Sequence, residues 1–243
     1  MKILGIIPSR YASTRFPGKP LVMIDGISMI QRVYEQSKKS SSLQKAIVAT
    51  DDERIYNHVK GFGGEVVMTS PEHPSGTDRC AEVLASEKEK WDAVINIQGD
   101  EPFIDPKQID LLASLLQNNA MVATLVKKIN TNEELINPNT PKVILNKDGN
   151  AIYFSRQPIP YYKDIDINEW QKMIDYYKHI GMYGYRSDVL PALTKLPVGM
   201  LEKAESLEQL RWLENGYAIA TAITDIETIA IDTPADLERL KAL

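Results

Sequence analysis

Three positively charged side chains follow the first apolar run of the chain within ten residues. Arg10, Arg15 and Lys19 lie in segment 8–20, which is rich in Ser, Thr, Gly and Pro and directly follows the apolar residues 3–7. This order predicts a strand that ends in an irregular loop. Because ligands of open α/β sheets bind at the carboxyl ends of the strands, we expect the loop to hold a polyphosphate.

The loop differs from an ATP-binding P-loop, although it also contains Gly-Lys. A Walker A loop requires a glycine five positions before its Gly-Lys and a Ser or Thr directly after it. These positions hold Ser13 and Pro20. A surface loop with solvated charges is the alternative for this segment alone; its place after the first strand and the acidic residues below favour phosphate binding.

Two acids end a second predicted strand. The apolar residues 93–97 are followed by Gln-Gly and then by Asp100 and Glu101. Mg²⁺ in proteins is usually bound by one or two carboxylates together with substrate phosphates, so Asp100 beside a phosphate loop is a candidate metal ligand. Glu101 points the other way if the strand geometry continues. A turn acid that caps the next helix is the alternative for Asp100.

A third strand-end acid is Asp232. It follows a predicted strand at 228–231 and precedes a predicted helix that begins at Pro234. Thr233 and Asp236 have the spacing of a capping box, which leaves Asp232 for another role. It is a candidate second metal ligand opposite Asp100, with helix capping by Asp232 itself as the alternative.

Two further segments have residues that suit ligand contact. Ser75-Gly76-Thr77 enters a predicted helix, where small side chains permit close backbone approach and the first amides are free to donate; Thr77 as a simple N-cap is the alternative. His179, Gly181 and Tyr183 lie on a strand-like segment in which glycines leave room for a ligand, although such residues are also common in half-buried sheets. Glu208 and Gln209 lie off the apolar stripe of a late helix and would alone be assigned to the surface.

Composition limits the class of protein. The 243 residues are 43% hydrophobic and 25% charged, with a net charge of −5, which predicts one folded domain and argues against binding to nucleic acid or an anionic membrane. The single cysteine, Cys80, excludes an intrachain disulfide. No apolar run approaches the length of a membrane span. We therefore expect a soluble, cytoplasmic protein.

Short apolar runs alternate with amphipathic segments, which predicts an α/β protein with a mostly parallel sheet. The predicted order is helix 28–38, strand 46–50, helix 52–60, strand 65–68, helix 77–88 and strand 93–97. The alternation stops near residue 131, where an excursion begins. A helix at 204–214, strands at 218–224 and 228–231 and a final helix from Pro234 are expected to complete the sheet.

The chain resembles the cytidylyltransferases that activate 3-deoxy-manno-octulosonate (Kdo), the CMP-Kdo synthetase family. The segments that carry the resemblance span the chain in order: IIPSRYASTRFPGKPL, IVATDD, SGTDR, INIQGDEP, the NPN segment, YFSRQPIP, HIGMYGYR, SLEQLRWLENG and IDTPADLERL. The resemblance implies a Rossmann-like, mostly parallel mixed sheet flanked by helices, of the nucleotide-diphospho-sugar transferase type. It also implies a single domain over 1–243, with an excursion at about 130–180 that forms an arm or dimer interface, and a homodimer.

The implied reaction transfers CMP from CTP to the anomeric hydroxyl of Kdo and releases pyrophosphate, with Mg²⁺ required, for lipopolysaccharide biosynthesis. By resemblance, Arg10, Arg15 and Lys19 grip the triphosphate, and Asp100 and Asp232 bind the metal ion that activates the attacking hydroxyl. Arg10, Lys19, Asp100 and Asp232 are then the catalytic residues. The same resemblance assigns Ser75, Gly76, Thr77 and Gln98 to cytidine, and Arg156, His179, Gly181, Tyr183, Glu208 and Gln209 to Kdo.

The chain departs from the family pattern at two positions. Phe16 stands where the family usually has Leu, and Ser206 stands where it usually has an apolar residue, directly before the LEQLR run.

Three alternatives to the implied function stay open. A CMP-sialic acid synthetase and an 8-amino-Kdo cytidylyltransferase would perform the same attack on a related sugar acid. A nucleotide-binding regulatory module would need neither strand-end acid.

Overall fold

A computed structural model describes residues 1–12, 16–227, 230–231 and 233–241 of the chain. Its strands are β1 (Ile3–Ser9), β2 (Met23–Ile24), β3 (Ile27–Ser28), β4 (Lys45–Thr50), β5 (Val66–Met68), β6 (Ala93–Asn96), β7 (Val122–Lys128), β8 (Lys142–Leu145), β9 (Ala151–Ser155), β10 (Tyr177–Arg186) and β11 (Ile219–Ile223). Its helices are α1 (Met29–Ser37), α2 (Glu53–Gly61), α3 (Gly76–Ser86), α4 (Pro106–Gln117), α5 (Asn132–Ile136), α6 (Trp170–Met173), α7 (Leu190–Leu193), α8 (Met200–Glu205), α9 (Gln209–Glu214) and α10 (Pro234–Lys241).

The central sheet is mixed and mostly parallel, as the sequence predicts. Its main path runs β5-β4-β1-β6-β10-β7-β11. Along this path of described strands only β10 is antiparallel to its neighbours, β6 and β7. The carboxyl ends of β1 and β6 and the amino-terminal half of β10 therefore meet at one edge of the sheet.

Strand β1 is buried on both faces because apolar side chains alternate to the two sides. Ile3 and Ile7 belong to one hydrophobic cluster, which includes residues of α1, α2 and α4. Leu4 and Ile6 belong to a second cluster, which includes Cys80 of α3 and residues of α7 and α9. Such continuous apolar strands are typical of parallel sheets covered by helices on both faces.

Local signals place most helix starts correctly. Ser28 accepts from the amide of Gln31 and caps α1, and Asp52 accepts from the amide of Arg54 and caps α2. The capping box before α10 is confirmed, because the Thr233 amide donates to Asp236 Oδ2 at 2.8 Å and the Asp236 amide donates to Thr233 Oγ1 at 3.3 Å.

Predictions for three elements agree with the structure only in part. The single helix predicted at 204–214 is divided in two: α8 ends at Glu205, Ser206 adopts a left-handed conformation with φ 51°, and α9 begins at Gln209 and ends at Glu214, as predicted. Helix α3 is capped by Ser75 rather than Thr77. The strand predicted at 228–231 falls partly outside the described residues, and its residues 230–231 are not in a strand.

The segment between β7 and β10 departs from the alternation of strand and helix. It contains α5, β8, β9 and α6, and β8 pairs antiparallel with both β9 and the start of β10. A separate hydrophobic cluster of Ile129, Leu135, Trp170 and Tyr176 lies here. No helix in the described part of the chain is both long and apolar enough to cross a membrane.

Candidate active site

A cavity of about 270 Å³ lies at the carboxyl ends of β1 and β6. The charged side chains that line it are Arg10, Lys19, Arg79 and Asp100. Its other lining residues are Pro8, Ser9, Ala12, Pro20, Gly76, Gln98 and Gly99. The structure therefore brings together five residues assigned above to three different sequence segments: Arg10, Lys19, Gly76, Gln98 and Asp100.

Lys19 and Asp100 form an ion pair inside this cavity. Lys19 Nζ lies 2.8 Å from Asp100 Oδ2, and the lysine side chain is only 13% exposed. Lys19 starts a 3-10 turn directly after Gly18, which has φ 72°. A side chain at Gly18 would both strain this left-handed backbone and approach the Tyr11 ring within 3.1 Å.

The loop that follows β1 is tied to helix α2 by an aromatic contact. The Arg54 guanidinium lies 3.3 Å from the centroid of the Tyr11 ring. Arg54 is itself fixed by the Asp52 carboxylate, with Nη2 2.6 Å from Oδ2. Tyr11 also accepts at its carbonyl from the Gly18 amide at 2.9 Å, which closes the loop. Arg15 of this loop lies outside the described residues.

The positive charge of the cavity exceeds what its own acids balance. Arg10 Nη2 is buried and makes no hydrogen bond to the described residues. Arg79 is almost fully buried between Thr69 and Asp51, and burial lowers the pKa of its guanidinium. A buried, unpartnered guanidinium nitrogen is costly unless an anionic ligand meets it. Sequence reasoning did not identify Arg79, although the SGTDR motif contains it.

The strand ends approach so closely that Gly99 has no room for a side chain. A Cβ atom there would lie 2.8 Å from the Pro8 carbonyl oxygen. The next residue, Asp100, accepts at its carbonyl from the Ile231 amide at 3.0 Å. The chain just before Asp232 is therefore held against Asp100, while Asp232 itself lies outside the described residues.

The acids at this edge suit Mg²⁺ only with help from a ligand. Among the described residues no three His, Cys, Asp or Glu side chains cluster as a complete metal site. Asp100 offers carboxylate oxygen beside the cationic loop, and oxygen donors are those Mg²⁺ prefers. Glu101 turns away from solvent, and burial, followed by the Asp100 charge, raises its pKa to about 8.

His179 lies on β10 and is held in the neutral form. Its ring packs edge-on against Phe154 and lies 5.1 Å from the Tyr183 ring, and burial lowers its pKa to about 3. The Thr124 hydroxyl has one proton and lies 2.8 Å from the Met182 carbonyl, which can only accept. His179 Nε2, 2.9 Å away, therefore donates to Thr124 Oγ1 and leaves Nδ1 as an acceptor. That arrangement suits a sugar hydroxyl, which can donate to Nδ1, better than a carboxylate, which can only accept.

Other residues predicted for the sugar acid lie near the same part of β10. Gln98 Nε2 donates to the Gly181 carbonyl at 2.7 Å, which connects the cavity to β10. The pairing of β10 with β7 shifts register between Ile180 and Tyr183. Tyr183 Oη and Gln209 Nε2 are buried and make no hydrogen bond to the described part of the chain. Both are thus polar groups whose partners a ligand would supply.

Glu208 and Arg156 are engaged by protein groups. Glu208 Oε2 accepts from the Thr77 hydroxyl at 2.8 Å, and burial raises the pKa of Glu208. Glu208 Oε1 lies 2.9 Å from Ser75 Oγ, whose one proton is nearer to Asp78 Oδ2, at 2.6 Å. The Arg156 guanidinium donates to the carbonyls of Pro138, Glu205 and Ser206. The contacts of Glu208 and Arg156 with a sugar acid therefore stay predictions.

The family described as Cytidylyltransferase matches residues 4–228. The similar structure of CMP:2-keto-3-deoxy-manno-octonic acid synthetase complexed with CTP has a TM-score of 0.92 and 43% identity, and it covers 100% of this chain and 98% of that chain. A 4-diphosphocytidyl-2C-methyl-D-erythritol synthase from Anaerococcus prevotii, at 12% identity and a TM-score of 0.63, shares the fold alone. Fold, cationic cavity and family together define a cytidylyltransferase.

Relatives define the family more narrowly. A 3-deoxy-manno-octulosonate cytidylyltransferase of Cytophaga hutchinsonii is 56% identical over 241 residues, 99% of this chain and 96% of that protein. One of the same name from Bacteroides thetaiotaomicron is 56% identical and covers 98% of this chain and 96% of its own. The chain belongs to the 3-deoxy-manno-octulosonate cytidylyltransferase family.

Proposed function

We propose that this enzyme transfers CMP from CTP to the anomeric hydroxyl of Kdo and releases pyrophosphate, an activation step for lipopolysaccharide biosynthesis. The observation that carries the proposal is the pairing of Lys19 with Asp100 at 2.8 Å in the cavity that also contains Arg10, whose buried Nη2 makes no hydrogen bond to the described residues. These groups suit a nucleoside triphosphate. The neutral polar residues of β10 next to them suit a hydroxyl-rich co-substrate, and relatives at 56% identity are named for Kdo.

In the proposed reaction the anomeric oxygen forms a bond to the α-phosphorus, and the bond from that phosphorus to the bridging oxygen of the β-phosphate breaks. Pyrophosphate leaves in line, and the hydroxyl proton passes to solvent. Arg10 and Lys19 orient the triphosphate and meet the charge that develops on the leaving group. The shared edge of β1, β6 and β10 supplies the proximity of the two substrates.

We propose Mg²⁺ as the cofactor. Asp100 and Asp232 would hold it, and the bound ion would supply Lewis-acid polarisation of the reacting phosphate. The support is the carboxylate of Asp100 beside the cations of the loop and the Ile231 amide bonded to the Asp100 carbonyl. Addition of EDTA is expected to abolish pyrophosphate release and added Mg²⁺ to restore it.

The test of the proposed function is a pyrophosphate-release assay with CTP and one sugar acid at a time. We expect release with Kdo to exceed release with 8-amino-Kdo or sialic acid. If either of the other sugar acids is preferred, that acid is the substrate instead of Kdo, and the proposed type of reaction is unchanged. CTP binding that ignores Mg²⁺, with no pyrophosphate released from any sugar acid, would indicate a regulatory nucleotide-binding module instead.

We also propose a cytoplasmic homodimer, with the segment at about 130–180 as the arm that contacts the second copy. The support for a dimer surface is the exposure of apolar side chains there, among them Tyr161 at 74% and Met173 at 48%. A cytoplasmic site fits the use of CTP and a single cysteine that is buried and free.

A further inference from the structure

The Glu208 carboxylate joins two segments that are far apart in the sequence. Ser75 Oγ lies 2.9 Å from Glu208 Oε1, and Thr77 Oγ1 lies 2.8 Å from Glu208 Oε2. Ser75 and Thr77 begin α3 on the predicted cytidine side of the site, whereas Glu208 directly precedes α9 on the predicted sugar side. One carboxylate therefore fixes the distance between the two halves of the site.

The Arg211 guanidinium contacts the Glu208 carboxylate. Its Nη2 donates to Glu208 Oε1 at 2.9 Å, its Nη1 donates to the Leu196 carbonyl at 3.1 Å, and its Nε lies 3.1 Å from Glu202 Oε2. The Arg211 side chain is only 8% exposed. Two nitrogens of one planar group thus donate to acceptors from two places, and Nε lies close to the Glu202 carboxylate without a hydrogen bond to it. The two hydrogen bonds fix the orientation of the guanidinium and of Glu208.

A second line of contacts leads from the same carboxylate to β10. The single proton of the Thr77 hydroxyl goes to Glu208, which can only accept when ionised, so Tyr185 Oη donates in the 3.2 Å contact with Thr77 Oγ1. The Tyr185 ring is stacked on the Tyr183 ring at 6.1 Å. The orientation of Glu208 therefore affects Thr77 and, through Tyr185, the predicted sugar contact Tyr183.

We infer that Arg211 is a positioning residue that acts through Glu208: it keeps the start of α3 and the sugar side of the site in the relative placement that CMP transfer requires. The inference rests on the proposed function. Because Thr77 loses its fixed acceptor when Glu208 moves, the loss of Arg211 weakens CTP binding even before a sugar acid is present.

The first test is Arg211→Lys, which retains the buried positive charge between Glu202 and Glu208. One ammonium group cannot reproduce both hydrogen bonds of the planar guanidinium, so the charge is kept while the geometry is lost. Calorimetric titration with CTP alone is expected to show an affinity about tenfold weaker than that of the parent protein. This loss corresponds to the binding free energy of about one charge-assisted hydrogen bond. Affinity equal to that of the parent would overturn the inference.

The second test asks whether Arg211 acts through Glu208. Glu208→Gln weakens CTP binding, and Arg211→Lys added to it is expected to cause no further loss, since the two residues act as one unit. A double variant whose loss of CTP affinity equals the product of the two single losses would refute the inference. Lys203→Gln is the control, because Lys203 is an exposed charged residue of α8 that takes no part in these contacts, and we expect it to bind CTP as the parent does.

A third variant covers the case in which Arg211→Lys does not fold. Thr77→Val removes one hydroxyl contact to Glu208 without changing buried charge, and Glu208→Gln added to it is expected to weaken CTP binding less than the product of the two single losses. If the losses of CTP affinity multiply in this double variant, that result would also count against the inference. Thermal melting identifies the folded variants.

Turnover separates positioning from a merely structural role. In folded Arg211→Lys, KM is expected to rise for both CTP and Kdo, whereas partial misfolding would lower the apparent kcat and leave both KM values unchanged. If the parent protein fails to turn over Kdo, the proposed function is wrong, but the CTP titrations still decide the role of Arg211.

Discussion

The charges that line the cavity determine what each residue can contribute. Lys19 is satisfied by Asp100 at 2.8 Å, whereas Arg10 Nη2 is buried without a protein partner among the described residues. In the proposed complex a triphosphate would contact Arg10 and compete with Asp100 for Lys19. We therefore expect the ion pair to hold Lys19 in place for contact with phosphate, and Arg10 to contribute to affinity for the anion.

Lys19→Ala is expected to lower kcat by about 10²–10³-fold, the usual effect of removing one preorganised donor to developing charge. Arg10 remains, so CTP binding should persist. Pyrophosphate release at saturating CTP and Kdo measures the effect. Lys39→Ala is a control because Lys39 is exposed and contacts only the Gln36 side chain at 2.5 Å among the hydrogen bonds identified. Near-normal turnover of Lys19→Ala would remove Lys19 from the catalytic residues.

His179 is expected to make stability depend on pH. Its folded pKa of about 3 lies below the ordinary value of 6.5. Between these values the unfolded chain binds a proton that the folded chain does not, so stability falls as pH falls below 6.5. We expect His179→Gln to remove up to about 2 kcal/mol of the loss between pH 7 and pH 5, since one proton contributes about 1.4 kcal/mol per pH unit. Urea unfolding at both pH values measures it, and an equal loss in the two proteins would contradict the prediction.

Helices and strands whose signals lie in the local sequence were predictable, whereas features that depend on contacts between distant residues were not. The apolar runs of β1, β4 and β6 and the caps at Ser28 and Asp52 are local signals, and the structure agrees with them. The break at Ser206 is different, because the apolar stripe continues past it. Arg156, fifty residues earlier, binds the carbonyls of Glu205 and Ser206 and holds the bend.

Ser206→Gly is expected to raise the free energy of unfolding by up to about 1 kcal/mol. Ser206 has φ 51°, and glycine adopts this left-handed conformation without the steric cost that a Cβ atom brings. The carbonyl that accepts from Arg156 is unchanged. Ser206→Ala keeps the Cβ atom and is the control, with no gain expected. Chemical denaturation measures both variants, and a gain in the alanine variant would show that backbone strain is not the cause.

Gly99→Ala is expected to reduce stability and turnover together. The added Cβ would lie 2.8 Å from the Pro8 carbonyl oxygen, so the ends of β1 and β6 must separate at a cost of about 1–3 kcal/mol. That separation moves Asp100 relative to Lys19. Gly61→Ala at the end of α2 meets no atom within 4 Å and is the control, with stability unchanged or slightly higher. Melting temperature and pyrophosphate release of Gly99→Ala equal to the parent would contradict the close approach.

At the scale of the whole molecule, topology explains why site residues from distant segments could be anticipated. Parallel strands bring their carboxyl ends to one edge, so the residues after β1 and β6 had to meet, and Arg10, Lys19 and Asp100 share one cavity. The contacts across the site were not predictable in the same way. The Glu208 bond to Thr77 joins residues 131 positions apart, and no local pattern indicates which side chain of the late helix turns inward.

The proposed homodimer is testable through the exposed apolar surface of the 130–180 segment. Met173 on α6 and Met121 directly before β7 are both 48% exposed, but only Met173 lies in the proposed arm. A carboxylate buried without a partner is unfavourable, so Met173→Glu is expected to shift sedimentation from dimer to monomer at micromolar concentration. Met121→Glu is the matched control and should remain dimeric. A monomeric parent protein, or equal behaviour of the two variants, would place the contact between copies elsewhere or exclude it.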